Sequence, residues 1–138
     1  MSGLGSIYQN HVLDAVFGAG FTKPATIYIA LLSTSITAND GTSGVEITGN
    51  GYARVAVTNN ATNFGPAAFG RIHNNLTATF PTVTGSAWLP TAGFALYDNI
   101  TLALVGNLIA WGVITAPKTY SPGQAASFGP GQLVITNV

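Results

Sequence analysis

The chain has no cysteine, so it holds no disulfide, no thiolate nucleophile and no cysteine-ligated zinc. Charge is nearly as scarce. Of 138 residues, four are basic (Lys23, Arg54, Arg71, Lys118) and four are acidic (Asp14, Asp40, Glu46, Asp98), and net charge is zero. Charged residues make up 6% of the chain, where about 25% is usual. Nucleic-acid binding needs clustered lysine and arginine, and a polybasic membrane anchor needs the same; neither partner is expected. No apolar run reaches the roughly 20 residues that span a bilayer, because Gly106 and Asn107 interrupt the longest, 100–114. Residues 1–6 lack the basic and apolar regions of a signal peptide. No secretion signal is therefore expected, and the Asn-X-Thr triplets at Asn60, Asn75 and Asn99 read as coincidence.

What is present is apolar. Hydrophobic residues form 47% of the chain, which excludes disorder and supports one domain over 1–138. Residues 1–20 read as a helical segment and 21–138 as β-structure. Leu4, Ile7, Tyr8, Val12, Ala15 and Val16 approximate helical spacing over 4–17, with Ser2 or Ser6 as cap and Gly18 and Gly20 as stops. Beyond Lys23 the pattern changes to short β-prone runs at 25–33, 45–48, 52–58, 72–80, 93–97, 108–114, 125–128 and 132–136. The first reads as buried on both faces; the third alternates. Glycine and proline turns separate the runs. The fold class expected is all-β, an antiparallel β-sandwich or jelly-roll-like barrel with one N-terminal α-helix.

The search for chemistry returns little. His11 and His73 lie in different elements, and four acids in all leave few partners for a metal; no catalytic residue, metal site or cofactor is expected. There is no Gly-X-Ser-X-Gly elbow. Glu46 and Asp98 show no spacing that suggests a glycosidase pair. Gly129-Pro130-Gly131 joins two strands and is a turn rather than a phosphate loop. Trp88, Trp111, Tyr97, Tyr52 and Tyr120 would suit a sugar-stacking platform, although Trp111 sits in an apolar run and reads as core. Arg54 and Arg71 each suit anchoring a loop through carbonyls or a carboxylate, or an ion pair between molecules.

Several words in order carry a resemblance. Glu46-Ile47-Thr48-Gly49-Asn50-Gly51-Tyr52-Ala53-Arg54 resembles a signature of small tailed-bacteriophage virion proteins. So do the runs 24–31, 79–86, 93–98, 106–112 and 127–135, which extend the resemblance over nearly the whole chain. One departure is the apolar stretch 99–105, where a polar turn is expected. Members of this family are labelled tail-fibre-like or structural, and similar small β-proteins serve as capsid decoration, or cement, proteins. The resemblance implies a non-enzymatic virion protein present in many copies. The leading expectation is a cement protein on the capsid exterior that binds the major capsid protein and self-associates as a homotrimer. A tail or fibre component that touches the host is the alternative, and a carbohydrate-binding module a further one. Candidate interface residues are Leu4, Ile7, Tyr8, His11, Arg54, Arg71 and Trp88. Residues 4–17 are the expected docking element, unless that segment packs on its own domain.

Overall fold

The computed structural model describes residues 2–18, 20–100 and 108–137. Its elements run β1 (Ser2–Leu4), α1 (Ser6–Phe17), β2 (Thr26–Thr34), β3 (Val45–Glu46), β4 (Val55–Thr58), β5 (Arg71–His73), β6 (Ala78–Thr79), β7 (Thr91–Tyr97), β8 (Leu108–Lys118), β9 (Ser127–Phe128) and β10 (Val134–Thr136). The protein is all-β and antiparallel with one N-terminal helix. The main sheet has the order β1-β8-β7-β2, and the outer edge of β2 is shared by β4 along Thr26–Ile29 and by β3 at Leu32–Thr34. Two small ladders, β5–β10 and β6–β9, lie outside this sheet.

β2 forms the centre because its side chains are apolar on both faces, and Ile29, Ala30, Leu31 and Leu32 are all buried. Ile27, Ile29 and Leu31 join Phe94, Leu96 and Ala110 on one face, where Phe80, Val83, Trp88, Leu133 and Ile135 cover them. Ala30, Leu32, Ala95, Tyr97 and Trp111 form the opposite face with Ile36 and Leu108. There Asn39 accepts a hydrogen bond from Trp111 Nε1 at 3.1 Å. Each fully buried large side chain contributes roughly 1.5–3 kcal/mol, so this double-sided centre carries most of the stability.

Several boundaries differ from the sequence reading. Leu4 is not in the helix: β1 pairs with the edge of β8, Ser2 opposite Gly112 and Leu4 opposite Ala110. The helix then starts from Gly5 without a side-chain cap, so neither Ser2 nor Ser6 serves as one. Gly5 is required there because a Cβ would stand 2.1 Å from the Leu108 carbonyl oxygen. Gly18, at φ 94°, ends the helix as expected. The run 52–58 is strand only from Val55, and 72–80 divides into β5 and β6, which pair with different partners. β8 continues through Pro117 to Lys118; β1 covers it only along Ala110–Gly112, so its outer side has no partner strand at Pro117, where a proline is tolerated. The chain bends at 98–100, while most of the apolar stretch 99–105 lies outside the described residues.

Candidate functional site

The signature segment folds into a lock, with a hollow of about 240 Å³ beside it lined by Glu46, Thr48, Tyr52, Arg54 and Ile100. Gly49, Asn50 and Gly51 all have left-handed φ, at 74°, 51° and 80°, and this triple turn brings Tyr52 and Arg54 back to Glu46. Arg54 Nε donates to Glu46 Oε1 at 2.8 Å and Nη2 donates to Oε2 at 2.5 Å. The two side chains are 3% and 8% exposed. Arg54 Nη1 also donates to the Asn99 carbonyl at 2.7 Å, and the guanidinium lies 4.1 Å from the centre of the Tyr97 ring. Tyr52 Oη donates to Glu46 Oε1 and accepts the Leu31 backbone N–H, each at 2.9 Å. Burial, then the Glu46 carboxylate beside it, push the Tyr52 hydroxyl well above the ordinary tyrosine range. Trp88 Nε1 donates to the Asn50 carbonyl at 3.0 Å, which seats the tryptophan under the same turn.

Every polar group of this cluster is engaged within the chain. Arg54 therefore anchors loops through a carboxylate and a carbonyl, and the side chains of Arg54 and Trp88 are both buried. The aromatic platform is not assembled either: Trp88, Trp111 and Tyr97 are buried, and Lys118 Nζ covers the half-exposed Tyr120 ring at 5.0 Å. Tyr8 is also buried, donating to Asp98 Oδ2 at 3.0 Å; burial first and that contact second raise its hydroxyl above the ordinary range. His11 stacks on Phe21 at 4.3 Å, whereas His73 lies exposed on β5. Among the described residues, no three His, Asp or Glu side chains gather as a metal would need. A depression of about 410 Å³ at the end of β8, between Phe94, Tyr120 and Phe128, is lined by no acid or histidine.

The surface that stands out is apolar. Of α1 only Tyr8 is buried. Val12, Leu13, Val16 and Phe17 are exposed, running from Val12, one turn beyond Tyr8 on its side of the helix, round to Phe17 on the opposite side, and Phe17 is 81% exposed. Ile7 is exposed as well, Leu4 packs half-buried against the core, and Arg71 is exposed. The sequence reading missed Phe69. Ala68 and Arg71 exchange backbone hydrogen bonds at 2.9 and 3.0 Å around Phe69-Gly70, both at positive φ. This is the two-residue hairpin turn that usually takes Asn-Gly. A phenylalanine at φ 51°, 103% exposed, is therefore both strained and uncovered. The only sequence signal was the glycine after it.

An apolar, charge-poor β-protein whose signature residues lock a loop, and whose uncovered side chains are large and hydrophobic, fits a structural subunit. Comparison with curated proteins finds no match. Comparison with family models finds one, described as Podophage GP4 fiber I protein gp80, over residues 3–136. That span takes in β1, α1 and every strand to β10, so the chain belongs to the podophage GP4 fiber I protein gp80 family, a family of phage fibre-type structural proteins.

Proposed function

We propose that this chain is a non-enzymatic subunit of a podophage tail fibre that works as a self-associated assembly, with a homotrimer as its state. The observation that carries the reading is the uncovered face of α1 in a chain of the fibre family. Val12, Leu13, Val16 and Phe17 expose apolar surface that neighbouring copies would remove from water. The arc bears no charged side chain, and net charge is zero, so nothing electrostatic opposes the approach of a second copy. The signature residues Glu46, Tyr52 and Arg54 serve the fold and not a ligand.

Decoration of the capsid through the major capsid protein is the other virion position such a chain would fill, and one experiment separates the two. Virions are labelled with gold-conjugated antibody against this chain and imaged in negative stain. Label on the tail is expected. Label distributed over the capsid would replace the fibre reading with decoration. For self-association, the purified chain is expected to sediment as a trimer, and replacing both Leu13 and Phe17 by serine is expected to release monomers that remain folded.

A further inference from the structure

We propose that the 68–71 hairpin is a self-association element, in which Phe69 of one copy seats in a hollow at the base of the same hairpin on the next copy. The inference rests on the self-association reading above and names the contact. A hollow of about 230 Å³ lies between Leu4, Ile72 and Ile135, with Ala67, Gly70 and Arg71 at its rim. Phe69 belongs to the same hairpin but is wholly exposed, so it does not enter its own hollow.

The fit decides the occupant. A cavity of about 150 Å³ lined by aliphatic side chains holds benzene, so this hollow has room for a phenyl ring. Arg71 at the rim supplies a guanidinium for the ring face. The tip, Pro66-Ala67-Ala68-Phe69-Gly70, carries no polar side chain, and the hollow's only polar side chains are Arg71 and Asn137, so apart from the guanidinium over the ring the contact is apolar. Knob and hollow are different surfaces a few residues apart. Seating Phe69 of one copy in a second leaves the second copy's Phe69 for a third, and rotation to closure gives a ring. One seated phenylalanine buries about 150–250 Å², against about 800 Å² per partner in a stable interface. It is thus an anchor rather than a whole interface. A strained conformation kept at a position that asparagine or glycine would satisfy marks Phe69 as selected for its side chain.

The test is sedimentation velocity over a concentration series with the wild type, Phe69→Asn and Ala67→Trp. Asparagine suits the left-handed position, so Phe69→Asn is expected to melt no lower than wild type while associating roughly thirtyfold more weakly, the loss typical of an interface hot spot. Ala67→Trp fills the hollow from its own rim and is expected to weaken association without changing the circular dichroism. If the wild type associates and both variants match it, this inference fails while the self-association reading stands. A monomeric wild type overturns both. Phe69-dependent binding of monomers to phosphatidylcholine vesicles would overturn the inference by assigning the tip to a lipid surface.

Discussion

Replacing Glu46 by glutamine tests whether the signature segment is a structural lock. The substitution conserves shape and removes one charge, leaving the Arg54 guanidinium 3% exposed without its carboxylate. Of the two hydrogen bonds at 2.8 and 2.5 Å, the amide oxygen can keep one without its ionic character, the other is lost because the amide NH2 faces an Arg54 donor, and Tyr52 Oη loses a charged acceptor. Arg54 keeps the Asn99 carbonyl and the Tyr97 ring, which hold the guanidinium in place but do not neutralise it. Removing one member of a buried ion pair costs about 3–5 kcal/mol. Domains of this size are stable by only about 5–15 kcal/mol, so Glu46→Gln is expected to remove about a fifth or more of the total and to lower the melting temperature by roughly 10–20 °C.

The assay is urea unfolding followed by tryptophan fluorescence, since Trp88 and Trp111 are both buried and report on opposite faces of the main sheet. The pair is then separated from its members by a double-mutant cycle with Arg54→Met. The double variant is expected to be more stable than Glu46→Gln alone, because a buried charge without its carboxylate is worse than none. A Glu46→Gln variant that loses less than about 1 kcal/mol, the range of an exposed pair, would refute the lock.

Three further outcomes follow from particular contacts. Tyr52 ionises near pH 10 when unfolded and at higher pH when folded; its contribution is therefore complete below about pH 10 and lost as pH rises above it, with a slope of up to about 1.4 kcal/mol per pH unit. Tyr52→Phe is expected to flatten that alkaline limb in a pH series of urea midpoints. Asn74 is buried, accepts the Leu133 N–H at 2.9 Å and donates to the Leu76 and Gly129 carbonyls at 2.7 and 2.9 Å; Asn74→Ala is expected to cost about 2–3 kcal/mol in the same denaturation assay. Gly5→Ala places a methyl 2.1 Å from the Leu108 carbonyl oxygen and is expected to cost on the order of 2–3 kcal/mol, read by calorimetry.

The sequence was most informative where a local pattern and the tertiary structure agree. β2 was legible because an uninterrupted apolar run has one interpretation in a β-protein, burial on both faces. β1 was not, because Ser2-Gly3-Leu4 has no pattern of its own and is a strand only through β8. Residues 72–80 look continuous until Asn74 turns inward to bond three backbone groups, which ends β5 and sends the chain to a different partner. Pro117 reads as a stop, yet β1 covers β8 only along Ala110–Gly112, and the uncovered side beyond needs no N–H. At the site, Glu46, Tyr52 and Arg54 were visible as a motif, but their mutual contacts depend on three successive left-handed residues that composition does not reveal. The stripe on α1 was legible as apolar but not as to which part is covered: Tyr8 faces the body, whereas Val12 and Val16 do not. Phe69 could not be distinguished from a core phenylalanine by sequence.

The helix itself supplies a last test, because its own sequence does not account for its stability. Isolated helices of about 12 residues are marginal in water. α1 is of that length, has no side-chain cap, no acidic residue in its first turn and no basic residue in its last. Tyr8 is its one buried residue, and it lies in the first turn. Toward Phe17 little holds the helix against the body, so its last two turns depend on whatever covers Val12, Leu13, Val16 and Phe17. On the proposed self-association, helix formation and assembly are linked, and association would stabilise the helical state by mass action. Hydrogen exchange over 12–17 is expected to be fast in dilute protein and to slow as concentration crosses the association midpoint, while β2 and β7 stay protected throughout. Equal protection of 12–17 at all concentrations, in a chain shown to be monomeric at the lowest, would mean that the helix is stable alone and that its apolar face is not where copies meet.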